Sequence, residues 1–284
     1  MRLLITGAGG QLGIDLVRCC ATAGDDVIAP DRDDLDIADR DAVHGAVSSI
    51  RPDVVVNCAA WTAVDACEGD PDRALAHNGV AVRWLAESCD RAGARLVQIS
   101  TDYVFDGSLD RPYTEWDHTA PQSVYGASKL AGEREASMLG SAATIVRTSW
   151  VCGQNGSNMV KTIMRLATQH SELTFVSDQV GHPTFTADLA PMIRRLAVER
   201  RSGVHHVTNQ RPTSWYGFAR EVVAAMGMDP DMVRPIATAD LQPARPAARP
   251  ANSVLDNTVL RVCGIPLLRD FGEPLRETVN ALSQ

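Results

Sequence analysis

Tyr125 and Lys129 stand four residues apart in Ser123-Val-Tyr-Gly-Ala-Ser-Lys129. Residues at i and i+4 share one face of a helix, so a helical reading of this segment sends a phenol and an ammonium toward the same cavity. A free tyrosine ionises near pKa ~10 and a lysine near ~10.4. A cation at close range favours the phenolate and lowers the tyrosine pKa, which would make the phenol a competent acid near neutral pH. The same spacing occurs on ordinary solvated helices, so its meaning rests on its company. That company is a glycine loop at Thr6-Gly-Ala-Gly-Gly-Gln-Leu-Gly13 and the segment Ser100-Thr-Asp-Tyr-Val-Phe105.

The elements that must position these residues alternate regularly. Arg2 to Thr6, Asp26 to Pro30, Asp53 to Asn57, Ala94 to Ser100 and Ala142 to Ser149 read as strands; Gln11 to Thr22, Ala38 to Ile50, Arg73 to Ala92 and Val124 to Leu139 read as helices. Val54-Val-Val56 is apolar without alternation, as suits a parallel strand covered on both faces. The rhythm predicts an α/β fold, a doubly wound parallel sheet whose ligands lie outside the carboxyl ends of the strands. Each candidate segment falls at such an end. The expected division is a dinucleotide-binding domain over 1–149 and a mainly substrate-binding α/β domain over 150–284, with some segments returning to the first. After Ser149 a helix is expected near Met159 to Gln169, short strands near Leu173 and Val204, and helices near Ala187 and Ser214. Leu241 to Pro250, with three prolines and two arginines, reads as a loop.

Gly7, Gly10 and Gly13 sit between a strand and a helix, where a dinucleotide needs a tight turn, close backbone approach to its pyrophosphate and a free helix N-terminus. Asp31 follows the second strand, where an acid would hydrogen-bond a ribose diol and disfavour a 2′-phosphate. Arg32 beside it argues the other way, so NADH and NADPH both stay open. Asp36 and Ile37 are expected to flank the adenine. The hydroxyl of Thr101 would orient a substrate carbonyl toward the phenol, Asp102 would grip a sugar hydroxyl, and Trp150 would wall a sugar ring. A strand-end Thr-Asp is also an ordinary turn former, and a tryptophan there is otherwise core.

The chain has 284 residues, 45% hydrophobic and 22% charged, enough for a substantial core. Its net charge of −8, from 27 Lys+Arg against 35 Asp+Glu, speaks against a general nucleic-acid binder. Met1-Arg-Leu-Leu-Ile5 runs into a strand without a leader pattern, and no run reaches the length of a membrane span, so a cytoplasmic location is expected. Seven cysteines without a C-x-x-C pair suggest neither a zinc site nor a disulfide framework. His205 and His206 would point to opposite faces of a strand, and no H-E-x-x-H or G-x-S-x-G motif occurs. The isolated His44, His77, His118, His170 and His182 are read as surface or core residues.

Together these segments resemble the extended short-chain dehydrogenase/reductase superfamily and, more narrowly, its dTDP-4-dehydrorhamnose reductase family. The likeness covers nearly the whole chain and rests on Gly10-Gln-Leu-Gly13, Asn57-Cys-Ala-Ala-Trp-Thr-Ala-Val-Asp65, Ser100-Thr-Asp-Tyr-Val-Phe-Asp-Gly107, Tyr125-Gly-Ala-Ser-Lys-Leu-Ala-Gly-Glu133, Arg147-Thr-Ser-Trp150 and Arg249-Pro-Ala-Asn-Ser253. It implies hydride transfer from NADPH or NADH to the C4 ketone of dTDP-4-dehydro-L-rhamnose, giving dTDP-L-rhamnose. Tyr125 would deliver the proton, and Lys129 would hold the nicotinamide ribose and tune Tyr125. Thr101, Asp102 and Trp150 would position the sugar. Gly10, Gln11 and Leu12 would meet the pyrophosphate, and the third cofactor-contacting segment would be Ala59, Ala60, Trp61 and Thr62. Arg249 is the candidate clamp for the nucleotide diphosphate. Some members are described as dimers bridged by magnesium through glutamates; Asp15 stands at one such position here, so no metal is expected and a homodimer is left open. Two rivals remain: a reductase of another nucleotide-linked 4-ketosugar, and a non-catalytic cofactor-binding regulatory subunit of the same fold.

Overall fold

The apolar run at the start of the chain is covered on both faces. In the computed structural model, which describes residues 1–284, strand β1 (Arg2–Thr6) sends Leu3 and Ile5 into one apolar cluster and Leu4 into another. There follow α1 (Gln11–Thr22), β2 (Asp26–Ile28), α2 (Arg40–Ile50), β3 (Val54–Asn57), α3 (Val64–Gly69), α4 (Pro71–Leu75) and α5 (Ala81–Ala92). Then come β4 (Arg95–Thr101), α6 (Val124–Ser137), β5 (Ala143–Thr148) and β6 (Val151–Cys152). The second half adds α7 (Met159–Gln169), β7 (Leu173–Val176), β8 (Val180–Gly181), β9 (Thr184–Phe185), α8 (Thr186–Val198) and β10 (Gly203–His206). It closes with β11 (Thr213–Ser214), α9 (Trp215–Ala225), β12 (Val233–Ile236), α10 (Thr258–Val262) and α11 (Gly272–Leu282).

Six strands form one parallel sheet in the order β10-β5-β4-β3-β1-β2. The fold is a doubly wound, Rossmann-like α/β sheet. The order in which strands are added reverses between β1 and β3, which opens a crevice beyond their carboxyl ends. One face carries Ile5, Leu16, Val56, Val97 and Val146 against Leu189, Ile193 and Leu196 of α8; the other carries Leu4, Val55, Leu96 and Ile145 against Val43, Val47 and Leu85. A third cluster, including Phe185, Phe218, Phe271, Ile163 and Leu275, forms the core of a smaller lobe. Segments of the second half are built into the main layer: β10 pairs with β5 and α8 lies along α1. No helix is long and apolar enough to cross a membrane.

Two elements differ from the sequence reading. The segment expected to be one helix from Arg73 to Ala92 starts at Pro71 and passes through a π-helical turn at Ala76–Val80, while α3 was not anticipated. The widened turn has a local cause. Asn78 points out of it and clamps the loop after β3, accepting from the Trp61 N–H at 2.8 Å and donating to the Trp61 carbonyl and the Ser128 hydroxyl, each at 3.0 Å. Such turns trade a regular backbone bond for a re-aimed side chain. The carbonyl of Asn78 packs so closely on α6 that a Cβ at Gly132 would lie 2.2 Å from it and 3.1 Å from Val82. Gly132→Ala is therefore expected to lower stability by about 1–3 kcal/mol, read as a lower urea midpoint with an unchanged slope. A midpoint equal to wild type would refute this close packing.

Candidate active site

The glycine loop is shaped by contact rather than by flexibility. Gly7 has φ +67°, and a Cβ at Gly13 would come 2.2 Å from the Gly7 carbonyl. The Gly10 N-cap is extended and brings no side-chain cap to α1, so the first amides of the helix remain donors for an anion. Behind the loop, Thr6, Asn57 and Gln98 link the ends of three strands: Thr6 donates to Asn57 at 2.6 Å and Asn57 to Gln98 at 2.8 Å. The Asn57 carboxamide oxygen also accepts the Ala59 amide at 3.2 Å, which starts the next loop.

Two cavities meet at Gly10, Cys58 and Ala60. The outer one, of about 210 Å³, is also lined by Gly7, Arg32, Leu35, Asp36, Ile37, Ala59, Trp61, Arg73 and His77. Its width suits a flat heterocycle between Ile37 and the loop after β3. Asp31 does not line it. Its carboxylate accepts the amides of Asp33 at 2.9 Å and Asp34 at 3.0 Å, so it shapes the turn, and Arg32 is the basic group this turn brings to the cavity. Arg73 and His77 escaped the sequence reading because only the clamp of α4 onto the Trp61 loop brings them in; Arg73 stacks 4.5 Å over the Trp61 ring.

The inner cavity, of about 410 Å³, gathers Gln11, Leu12, Thr62, Thr101, Asp102, Tyr125, Lys129 and Trp150. Gly13 packs behind the loop, and Arg249 is not among its lining residues. The Arg249 guanidinium is forked onto Asp65 at 2.8 and 3.0 Å. Ser149, Tyr103, Thr148 and Trp215 also line the inner cavity; none was singled out from sequence, and Thr148 lay unmarked beside Trp150 in Arg147-Thr-Ser-Trp150.

Helix α6 carries Tyr125 and Lys129 and is capped by Ser123, whose hydroxyl accepts the Gly126 amide at 3.1 Å. One turn beyond Lys129, Glu133 is fully engaged. It accepts the Arg147 guanidinium bidentately at 2.9 and 2.7 Å and the Ser100 hydroxyl at 2.5 Å, with the ion pair's side chains only 5–6% exposed. Lys129 donates to the Ile99 carbonyl at 2.7 Å. Burial pulls its ammonium down to about 8, against the opposing charge of Glu133. Burial likewise pushes the Tyr125 phenol well above its ordinary range, against a lowering contact with Thr101. The expected lowering by Lys129 does not appear in the folded chain: desolvation is the largest influence on the phenol, Lys129 is not among the charges that shift it, and the phenol stays protonated. Burial also pushes Cys58 up to about 12, which leaves its thiol protonated near neutral pH.

Asp102 and Thr148 hold buried oxygens with no partner within the chain, Oδ2 and Oγ1. Buried polar atoms are normally satisfied; both residues line the inner cavity, with these two atoms themselves shielded and the Ser253 hydroxyl beside the Asp102 carboxyl. The other Asp102 oxygen accepts the Thr101 hydroxyl at 2.9 Å. Burial pushes the Asp102 carboxyl up to about 6. Opposite stands Trp150, a bulky residue at φ +45°, a conformation that costs about 1–3 kcal/mol. Its ring stacks on Trp215 with centroids 3.7 Å apart and planes at 9°. A stacked pair contributes about 0.5–1.5 kcal/mol beyond its burial, which offsets much of that cost.

The family model described as RmlD substrate binding domain matches residues 1–284. The chain belongs to the RmlD family. Among RmlD relatives, the dTDP-4-dehydrorhamnose reductase of Streptomyces griseus is 45% identical, over 99% of this chain and 94% of that one. The dTDP-4-keto-6-deoxy-D-glucose reductase of Streptomyces niveus is 40% identical, over 100% and 96%. The crystal structure of dTDP-4-dehydrorhamnose reductase from Bacillus anthracis in complex with NADP superposes with a TM-score of 0.94 at 38% identity, covering 99% of each chain. The chain's named relatives at 40% and 45% identity are reductases, which places it among oxidoreductases.

The raised Asp102 carboxyl fixes a sign. A carboxyl whose folded pKa exceeds its ordinary 3.8 opposes folding when ionised, above about pH 6, and imposes no such penalty below both values. Asp102→Asn is therefore expected to raise the melting temperature by a few degrees at pH 8, on the order of 3 kcal/mol at most. The gain should vanish as pH falls toward 4. A melting difference that is the same at both pH values would exclude this origin.

Proposed function

We propose that the protein is an NADPH-dependent reductase of the C4 ketone of dTDP-4-dehydro-L-rhamnose, producing dTDP-L-rhamnose with Tyr125 as the proton donor. The supporting observation is the junction of the two cavities at Gly10, Cys58 and Ala60, with Tyr125, Lys129 and Thr101 on one side and an uncapped helix N-terminus on the other. The residues fit the cofactor on both counts: amides free for a pyrophosphate, and a flat slot between Ile37 and Ala59. When bound, a reduced nicotinamide supplies the hydride to C4. Tyr125, kept protonated by burial, gives its phenolic proton to the ketone oxygen as the C4 alkoxide develops, and the phenolate that remains is stabilised by the Lys129 ammonium. Thr101 aligns the ketone with the phenol. Asp102 accepts a sugar hydroxyl, and Trp150 walls the ring.

The preference for NADPH rests on Arg32, which lines the outer cavity while Asp31 is committed to its own turn. A guanidinium suits a 2′-phosphate. The NADP complex of the Bacillus anthracis relative supports the same choice. A second reading, reduction of the D-gluco 4-ketosugar, is favoured by the Streptomyces niveus relative. Turnover of both ketosugars side by side, followed as loss of nicotinamide absorbance, decides between them, and no turnover of the rhamno substrate would sink the specific proposal.

Tyr125→Phe removes only the hydroxyl and is expected to lower kcat by about 10²–10⁴ while NADPH binding persists; near wild-type turnover would remove Tyr125 from the role of acid. Arg32→Ala is expected to lower the ratio of kcat/KM for NADPH over NADH by about tenfold, and an unchanged ratio would count against the 2′-phosphate contact.

A further inference from the structure

Trp150 belongs to the end of the main sheet, while Trp215 opens α9 of the smaller lobe, directly after β11. Their stacked rings both face the inner cavity and remain partly exposed there. Gly181 also packs against Trp150: a Cβ at that position would come 2.8 Å from the Trp150 ring. Gly181 in turn pairs with Thr213, two residues before Trp215. The Trp150 indole is therefore held by Trp215 and by the strand that pairs with the segment leading into it. Behind Trp215 the contacts continue edge-on to Phe218 at 6.1 Å and from Phe218 to Phe271 at 5.9 Å, so its ring is braced by that lobe's core.

We propose that Trp215 is the positioning residue of the sugar site, the ring that holds Trp150 in its left-handed conformation and thereby sets the cavity wall opposite Asp102. This inference rests on the reading that the inner cavity takes a nucleotide-linked ketosugar. Without the second ring, Trp150 has no partner to compensate its backbone conformation, and it relaxes toward an ordinary one. The wall then moves, and the sugar loses its fixed distance from Tyr125. The nucleotide cavity, built from the first lobe, is untouched.

Stacked indoles couple their transitions and give an exciton couplet in far-ultraviolet circular dichroism. Of the five tryptophans, only Trp150 and Trp215 stack on one another, so the couplet reports this pair alone. The test compares wild type with Trp215→Leu, Trp215→Phe, Trp150→Leu and the Trp150→Leu/Trp215→Leu double variant. Wild type is expected to show the couplet and every variant to lose it. Trp215→Leu should raise KM for the ketosugar by about three- to tenfold with kcat changed less, and Trp215→Phe, which keeps a ring to stack on, should stay near wild type. The double variant should be no worse than Trp150→Leu, because the two residues act as one. NADPH affinity, unchanged in the variants, shows that they fold; should Trp215→Leu fail to bind it, Trp215→Phe and the conservative swap Trp215→Tyr carry the comparison. A couplet that survives in Trp215→Leu, an unchanged KM in Trp215→Leu, or additive effects in the double variant would each overturn the proposal. Should no ketosugar turn over, the substrate reading falls, while the couplet still decides whether Trp215 holds Trp150.

Discussion

The buried pair of Glu133 and Arg147 is the interaction on which the geometry of the site depends. It joins α6 to β5, and through Ser100 it also ties in β4, the strand whose end supplies Ile99, Thr101 and Asp102. Removing one partner from such a pair leaves an uncompensated buried charge and costs about 3–5 kcal/mol, so the rotation of α6 about its axis is tightly fixed. Lys129 lies one turn before Glu133 and Tyr125 two turns before it on the same face. Fixing Glu133 therefore aims both. Nothing comparable holds the outer end of the site, where the Trp61 loop is tied by neutral hydrogen bonds to Asn78.

Burial also decides the charge states around the reacting position. Tyr125 is held neutral, Lys129 is brought within reach of neutral pH, and Asp102 titrates near 6, each by loss of solvent more than by any neighbour.

Much of this was legible in the sequence where one residue type has one local reason to be there. The glycines at 7 and 13 are required by a backbone contact, and the uninterrupted apolar strands required a sheet covered on both faces. The strand ends collected Thr101, Asp102 and Trp150 as the alternating pattern implied. The remainder was decided by distant contacts. Asp31 was expected at the ribose because of its position after β2; in the fold one of its oxygens, Oδ1, accepts the amides two and three residues on, and the residue does not line the outer cavity. The i, i+4 rule gave Tyr125 and Lys129 a common face but carries no information about solvent, whose loss is the largest influence on the phenol. Arg73, His77 and Trp215 enter the cavities only through the π-helical turn and the docking of α9, and neither has a periodic signature. Arg249 was the candidate clamp for the nucleotide diphosphate, but its guanidinium is held by Asp65, 184 residues away in the chain.

The way the two halves of the chain are interleaved has a consequence for biosynthesis. The face of the sheet bearing Ile5, Val56, Val97 and Val146 is covered by Leu189, Ile193 and Leu196, and the sheet's outer strand is residues 203–206. While the ribosome is still making the chain, the first five strands therefore emerge with that face covered by α1 alone and the β5 edge unpaired, and they stay so until some sixty further residues have been added. Exposed strand edges and bare apolar faces are the features that draw chains into association. The interval between residue 148 and residue 206 is thus the stretch of translation in which this protein has most need of a chaperone.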